Sequence, residues 1–260
     1  MQPHASQHDP HGQRNPYAQP GPQHAPGAYT VDPRAQLASG VDQFMTRVNA
    51  WMAAGVGLTG LAAYVTSQST ALLEMLFTGG MGWVTIFAPL VFVMIFASRL
   101  HKMKPSTAIA VFLAFAVVMG VSLAPIFLIY TGASITSVFA ITAVTYSALA
   151  FYGYTTKRDL SAWGKFLFMG VIGLVVSGVV MMVMSYGFHM TISPVFFMAR
   201  AMIGVLIFAA LTAYDTQKIK QIYLVNGGAG NLAIIGALTL YLDFINLFLF
   251  LLRIFGGGRD

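Results

Sequence analysis

Two aspartates interrupt long apolar stretches near the C-terminal end of the sequence. Asp243 lies in the middle of 232–255, which is otherwise almost entirely apolar, and Asp215 closes the preceding stretch within Thr212-Ala-Tyr-Asp-Thr-Gln217. A charge at the centre of a bilayer costs about 2.5–3.5 kcal/mol even on a lenient scale, so such a group should be paired or face a cavity. The two carboxylates are expected to meet near the cytoplasmic face. Both cannot ionise cheaply at low dielectric, so they would titrate as a unit and form a proton switch.

A basic partner for this pair is predicted at the end of an earlier apolar stretch. Arg99 stands in Phe96-Ala-Ser-Arg-Leu-His-Lys-Met103 and is the basic residue of that segment nearest the apolar core. From there it could reach inward to the aspartates and lock the helices together. Two simpler interpretations stay open: Arg99 is an ordinary cytoplasmic anchor, and Asp215 is a headgroup-level carboxylate paired with Lys218 or Lys220.

Other polar residues of the last apolar stretch fall on one helical face with Asp243. Thr239, Asp243, Asn246, Phe250 and Arg253 follow one another at spacings of four, three, four and three, and such spacing gathers side chains on one side of a helix. The stripe should therefore point inward, with Thr239 and Asn246 beside any ion path and Arg253 as an anchor. Arg200, near the start of the preceding stretch, is interpreted as a snorkelling residue at the outer face.

The amino-acid composition indicates that the apolar stretches are membrane-spanning helices. Of 260 residues, 57% are hydrophobic and 8% are charged, against about 25% charged residues in ordinary soluble domains. A spanning helix needs about 20 mainly apolar residues. Seven stretches meet that criterion, and they predict an all-α membrane protein of seven transmembrane helices at 44–66, 82–98, 107–130, 134–154, 162–186, 194–214 and 232–255.

The remaining segments set domain limits and orientation. Residues 1–43 are rich in Pro, Gln and His and predict a disordered cytoplasmic tail, which leaves 44–260 as one transmembrane domain. Basic residues fall in alternate loops, so the N-terminus is predicted to be cytoplasmic and the C-terminus outside. A last span that turned back at Arg253 and Arg259 would instead place both ends in the cytoplasm. Pro89 and Pro125 lie inside spans and should kink or break them beside a cavity.

Several function classes find no support in the sequence. There are no cysteines, so thiol catalysis and cysteine–zinc sites are excluded, and the irregularly spaced histidines at 4, 8, 11 and 24 predict at most weak metal binding. The net charge of +6 is spread over loops and does not indicate nucleic acid. We expect no cofactor and no enzymatic activity. An intramembrane aspartyl protease would carry a Tyr-Asp pair and a Gly-x-Gly-Asp motif on neighbouring spans. Only the first is present, as Tyr214-Asp215, because no glycine lies near Asp243.

The same residues resemble the Bax inhibitor-1 family, also called the transmembrane Bax inhibitor motif proteins, and its bacterial members in particular. The resemblance runs from about Phe44 to Phe255. It is carried by these stretches: Ala237-Leu-Thr-Leu-Tyr-Leu-Asp-Phe-Ile-Asn-Leu-Phe-Leu-Phe-Leu-Leu-Arg253, Ala213-Tyr-Asp-Thr-Gln217, Ser98-Arg99 and Gly120-Val-Ser-Leu-Ala-Pro-Ile126.

The resemblance implies a seven-helix inner-membrane fold whose last helix is surrounded by the other six, and a pH-sensitive calcium leak. It implies Asp215 and Asp243 as the pH sensor, Arg99 as the latch, and Pro125 breaking the third span beside the path. Calcium prefers several oxygen ligands, so the two aspartates predict a transient, partly hydrated calcium site. Many relatives carry a glutamate where this chain has Ala88-Pro89, which bears on any ion path.

Two other functions remain compatible with the sequence. A non-conducting scaffold of the stress response would bind other membrane proteins, such as quality-control proteases, and its charge cluster would only hold helices together. A proton-coupled transporter would show internal repeats, and the sequence offers no convincing one.

Overall fold

The fold is described from a computed structural model that covers residues 33–228 and 230–258. In these residues the chain forms nine α-helices. They are α1 (Pro33–Ser67), α2 (Thr70–Phe77), α3 (Gly79–Leu100), α4 (Pro105–Leu123), α5 (Ile126–Ile129), α6 (Gly132–Thr155), α7 (Gly164–Met182), α8 (Pro194–Asn226) and α9 (Leu232–Phe255). A 3-10 turn, Ser161–Trp163, precedes α7, and a π-helical turn, Val183–Gly187, follows it.

Seven helical segments are long and apolar enough to cross a membrane, which confirms the predicted all-α architecture. They comprise α1, α3, α4 with α5, α6, α7 with its flanking turns, α8 and α9. The short helix α2 lies between the first two spans and was not predicted. Ser69 caps it by accepting a hydrogen bond from the Leu72 amide.

The last helix occupies the centre of the bundle. In the most apolar stretch of α9, 67% of the residues are buried, against 17–33% in the other six spans. Leu240, Tyr241 and Leu247 are fully enclosed. An ionisable residue inside a membrane span, such as Asp243, is expected to face protein or a cavity and not lipid, and here α1, α4, α6 and α8 pack around α9. The predicted central position of the last helix is therefore confirmed.

Two helices extend beyond their predicted ends. The chain is already helical from Pro33, so residues 33–43 belong to α1 and the predicted boundary of the tail at residue 43 is too late; residues 1–32, with their histidines, lie outside the described residues. The extension of α1 is held because Val41, Phe44 and Met45 are buried at helical spacing.

Helix α8 continues to Asn226, twelve residues past the predicted end of the sixth span at Tyr214. Its extension buries Thr216, Gln217 and Ile219, a pattern that hydropathy alone does not detect because two of the three residues are polar. Asp215 is consequently an interior residue of a long helix and does not lie at a helix end.

The two interior prolines have different effects. Pro125 separates α4 from α5, so the predicted break in the third span is confirmed. Helix α3 continues through Pro89, although proline leaves the carbonyl four residues earlier without its amide donor. That carbonyl belongs to Thr85, and it accepts a hydrogen bond of 2.6 Å from the Ser122 hydroxyl of α4. A neighbouring helix thus satisfies the exposed backbone group, as a membrane interior requires.

We call the end of the bundle that carries the α8–α9 connection the turn end. Gly227 and Gly230 lie in this connection with φ of 63° and 66°, a conformation that glycine adopts without strain. The start of α1 and the loop between α6 and α7 lie at the same end, because Lys220 of α8 bonds to Tyr154 of α6. The starts of α5 and α8 and the end of α9 mark the opposite end.

Candidate functional site

The site is built around two aspartates at the interface of α8 and α9. Asp215 and Asp243 are 8% and 4% exposed, and their carboxyl groups lie within hydrogen-bonding reach of each other. Two carboxyl groups can form such a bond only when one of them carries a proton to donate. The second oxygen of Asp243, Oδ2, is buried without a hydrogen-bond partner. The sequence predicted this meeting of the aspartates, and the structure places it well inside the helices.

The residues around Asp215 fix the position of α8. Gly153 of α6 lies directly on Ala213, since a Cβ at Gly153 would come within 2.2 Å of the Ala213 carbonyl oxygen. Two positions beyond Asp215, the buried Gln217 side chain accepts a hydrogen bond from the Leu160 amide at 2.9 Å and donates one to the Arg158 carbonyl at 2.8 Å. One short stretch of sequence therefore packs α8 on α6 and holds the loop that follows α6.

A cavity of about 800 Å³ lies beside the aspartates on the side of the turn end. It lies between α1 and α6, with Thr216 and Phe244 contributed by α8 and α9. Tyr146 of α6 lies on its wall, donates a hydrogen bond of 3.3 Å to Asn49 of α1, and interacts electrostatically with Asp243. Tyr146 therefore stands between the cavity and the aspartate pair.

The mouth of this cavity, which we call the turn-end cavity, carries both acidic and basic groups. The Tyr154 hydroxyl donates a hydrogen bond to Asp42 of α1. Lys220 of α8 donates to the Tyr154 carbonyl at 2.9 Å, and its ammonium lies 4.4 Å from the centre of the Tyr154 ring. Polar side chains thus follow the cavity from its mouth to the residue that faces Asp243.

A second cavity, of about 400 Å³, lies between α5, α8 and α9 toward the opposite end. Asn246, one helical turn beyond Asp243, contributes to its wall together with Arg200 and Arg253, and Ile126 follows the break at Pro125. The structure therefore brings Asn246 and the residue after Pro125 to one cavity. We call it the arginine cavity. Thr239, in contrast, donates to the carbonyl of its own helix at Ile235, at 3.0 Å, and lines none of the cavities described here.

A small apolar cavity of about 80 Å³ lies between the two larger ones. It shares Val56, Phe139 and Phe244 with the turn-end cavity and Ile126 with the arginine cavity. Its wall is apolar except for Thr59, whose hydroxyl is bonded to the Ala116 carbonyl at 2.9 Å. The three cavities therefore form a row along α9, with a dry constriction in the middle.

Arg99 is placed away from the aspartates. It is exposed near the end of α3, and the adjacent Leu100 carbonyl accepts a hydrogen bond of 2.9 Å from Asn231, which precedes α9. Asp243 lies twelve positions further along, and at 1.5 Å per residue the separation along the axis is about 18 Å. An arginine side chain does not cover that distance. The structure does not bring Arg99 to the pair, and its role as a latch stays a prediction.

The described residues offer few ligands for a tightly held metal ion. They contain no group of three His, Cys, Asp or Glu side chains placed to bind one. Calcium takes about six to eight oxygen ligands, whereas Asp215 and Asp243 supply two carboxyl groups and Asn246 lies on a different cavity. The arrangement suits brief, hydrated contact with a cation better than stable coordination.

Five residues of the site were not predicted from the sequence: Asp42, Asn49, Tyr146, Tyr154 and Gln217. A signal existed for the first two, because they are polar residues seven positions apart, on one face of a helix. Nothing in the sequence links them to the tyrosines of α6. Such pairings depend on how distant helices pack.

Comparison with known proteins agrees with this architecture. The sequence profile described as "Inhibitor of apoptosis-promoting Bax1" matches residues 41–260. Inner membrane protein YbhL of Escherichia coli K12 is 41% identical over 235 residues, which are 88% of this chain and 96% of YbhL. An uncharacterized protein of Caulobacter vibrioides is 40% identical over 235 residues, covering 85% and 91% of the two chains.

A more distant similarity points the same way. An uncharacterized membrane protein of Streptococcus pyogenes, SpyM3_0260, is 35% identical over 224 residues, covering 84% of this chain and 93% of that protein. The profile covers residues 41–260, the region that holds the seven spans, and on these grounds the chain belongs to the Bax inhibitor-1 family.

Proposed function

We propose that this protein is a pH-sensitive cation leak of the bacterial inner membrane, with calcium as the ion and the Asp215–Asp243 pair as its proton-dependent gate. The observation that carries the proposal is a pair of buried carboxyl groups within hydrogen-bonding reach of each other, beside a row of cavities. The similarity to an inner membrane protein of Escherichia coli supports the location. The basic residues at the turn end, among them Lys157, Arg158 and Lys218, support a cytoplasmic turn end and N-terminus.

The gate works through the charge of the pair. With one proton, Asp215 and Asp243 attract each other through a hydrogen bond and hold α8 against α9. Without it, two negative charges share a site of low dielectric and repel strongly. The bonded pair and the ionised pair therefore favour different separations of the two helices, and pH selects between them.

The turn-end cavity supplies the route by which the pair exchanges protons and meets cations. Tyr146 lines this cavity and interacts electrostatically with Asp243, so its hydroxyl would relay a proton once it turned from Asn49 toward the pair. Beyond it, the apolar constriction excludes water and ions, as hydrophobic gates do. A shift of α9 that widened the space around Phe244 would connect the two larger cavities.

Calcium as the ion rests on the family resemblance and on charge. Two ionised carboxylates attract a divalent cation, and the small number of oxygen ligands lets it leave again. The latch role of Arg99 belongs to a conformation in which α3 has moved, because here its guanidinium is exposed at the end of that helix.

A second function, a non-conducting scaffold that binds other membrane proteins such as quality-control proteases in a stress response, is favoured by one observation. Arg200 and Arg253 line the arginine cavity, and among the described residues neither forms an ion pair with a carboxylate. Two positive charges there raise the free energy of a passing cation. In this alternative the aspartate pair only holds α8 and α9 together.

The test is a calcium-flux measurement in proteoliposomes containing the full chain, from about pH 6 to about pH 8, where a coupled pair can change charge. The variants are Asp215→Asn, Asp243→Asn and both together, with Asp159→Asn as a matched control because Asp159 is fully exposed in the α6–α7 loop. We expect a pH-dependent flux that becomes independent of pH in the double variant and is unaltered in the control.

Two results would decide against the leak. Flux at background level in the wild-type protein at every pH would favour the scaffold. A double variant that folds and keeps the wild-type pH response would remove the aspartates from the gate.

A further inference from the structure

The arginine cavity carries two positive charges that have no role in the proposed cation leak. Arg200 lies near the start of α8 and Arg253 near the end of α9, and both line this cavity of about 400 Å³. Their positive charges act on each other. Like charges that act on each other are unfavourable, and an anion between or beside them removes this cost.

Arg200 is held in a fixed orientation. Its Nε donates to the Ser177 hydroxyl at 3.1 Å and one terminal nitrogen donates to the Leu174 carbonyl at 3.0 Å, both on α7. The guanidinium carbon also lies 5.5 Å from the centre of the Phe250 ring. These contacts use two of the N–H donors of the side chain and leave the others available. A guanidinium that is fixed by its neighbours loses little freedom when it binds a ligand.

Arg253 is contributed to the same cavity by α9. Its guanidinium carbon is 4.4 Å from the centre of the Phe197 ring, a cation–π contact that positions the group without using its N–H donors. Among residues 33–228 and 230–258, no carboxylate forms an ion pair with it. Tyr130 and Asn246 add polar groups to the wall.

The depth of the cavity agrees with a lipid or a soluble ligand at the membrane surface. Arg253 lies two residues before the end of α9 and Arg200 six residues after the start of α8, or about 3 Å and about 9 Å from those helix ends at 1.5 Å per residue. Groups at this depth meet lipid headgroups and remain open to water.

We infer that the arginine cavity is a binding site for a phosphate group, held between Arg200 and Arg253. The planar fork of a guanidinium matches two oxygens of a phosphate, and two such groups on one cavity can share the oxygens of a tetrahedral anion. The phosphate belongs either to a lipid headgroup or to free inorganic phosphate, since both present the same oxygens. Its charge offsets the repulsion between the arginines, whether or not the protein conducts cations.

The experiment uses the full chain in nanodiscs of zwitterionic lipid. Binding of phosphatidylglycerol is measured by native mass spectrometry, and binding of inorganic phosphate by isothermal titration calorimetry. The variants are Arg200→Gln, Arg253→Gln and both together. Arg253→Gln is the safer single variant because its side chain is exposed. Arg158→Gln, an exposed loop arginine, is the matched control for non-specific charge.

We expect the wild-type protein to bind phosphatidylglycerol or inorganic phosphate. The Arg158→Gln control should bind the same probe with the same affinity. Each single variant should weaken binding about tenfold or more, because a charge-assisted hydrogen bond contributes more than a neutral one. The double variant should lose binding. Phosphatidylglycerol bound without inorganic phosphate identifies a lipid site, and the reverse identifies a site for the free ion; each supports the inference.

Two results would overturn it. The first is that neither probe binds the wild-type protein. The second is that binding survives in the folded double variant.

Discussion

Replacing Gln217 with leucine tests how α8 holds the loop between α6 and α7. Gln217 is buried and makes two hydrogen bonds to that loop, 2.9 Å from the Leu160 amide and 2.8 Å to the Arg158 carbonyl. Leucine has a similar size and no hydrogen-bonding groups. The packing of the side chain should therefore be nearly kept while both bonds are lost.

The magnitude follows from the two bonds. Each contributes about 1 kcal/mol net, so the loop should lose about 2 kcal/mol of protection against local opening. Because 1.4 kcal/mol corresponds to a factor of ten, hydrogen exchange at the Leu160 amide should become about thirtyfold faster. Hydrogen–deuterium exchange followed by mass spectrometry or NMR measures this rate in nanodiscs.

Gln221→Leu is the control, since Gln221 lies one turn further along α8 and is exposed. Exchange at Leu160 should stay at the wild-type rate in this variant. Wild-type exchange in Gln217→Leu as well would refute the role of the glutamine, because the loop would then be held by other contacts.

Two further changes have directions set by the structure. Gly153→Leu places a side chain against the backbone of Ala213, where even a Cβ would come within 2.2 Å. The free energy of unfolding in detergent should therefore fall by about 3 kcal/mol. Gly173→Ala is the control, because nothing lies within 4 Å of a Cβ at that position, and it should leave this free energy unchanged. Hydrogen bonds from the side chain and backbone of Ser161 lower the pKa of Asp159, so Ser161→Ala should raise that pKa toward its ordinary value in an NMR titration. The stabilisation from these bonds is present above the ordinary pKa and disappears as pH falls through the lowered one; an unchanged titration curve would contradict the assignment.

The architecture and the aspartate pair could be predicted because each depends on local sequence. Long apolar stretches reveal membrane helices, and Asp243 is conspicuous in the middle of one of them. The central position of the last helix came from the family resemblance, and the burial of α9 confirms it. The extent of α8 could not be predicted by hydropathy, because Thr216 and Gln217 are polar residues that become buried only through contacts with distant segments.

The residues that surround the aspartate pair could not be predicted from the sequence, because they too come together through contacts between distant helices. Tyr146 is separated by almost one hundred residues from Asn49, its hydrogen-bond partner, and also from Asp243, and no local pattern reports which faces of α1, α6 and α9 meet. The expected contact of Arg99 with the aspartates is absent from this structure for the same kind of reason. The start of α9 is tied to the end of α3 through Asn231, which fixes Arg99 far along the axis from Asp243.

The protonation state of the aspartate pair tests the central claim most directly. Infrared difference spectroscopy of the protein in lipid bilayers at neutral pH detects the C=O stretch of a protonated carboxyl group. A hydrogen bond between the neighbouring carboxyl groups of Asp215 and Asp243 requires a shared proton, so the wild-type protein and Asp159→Asn should show the band, and Asp243→Asn should alter or remove it. A wild-type spectrum without the band, or a band unchanged in Asp243→Asn, would contradict a proton-dependent gate at this pair.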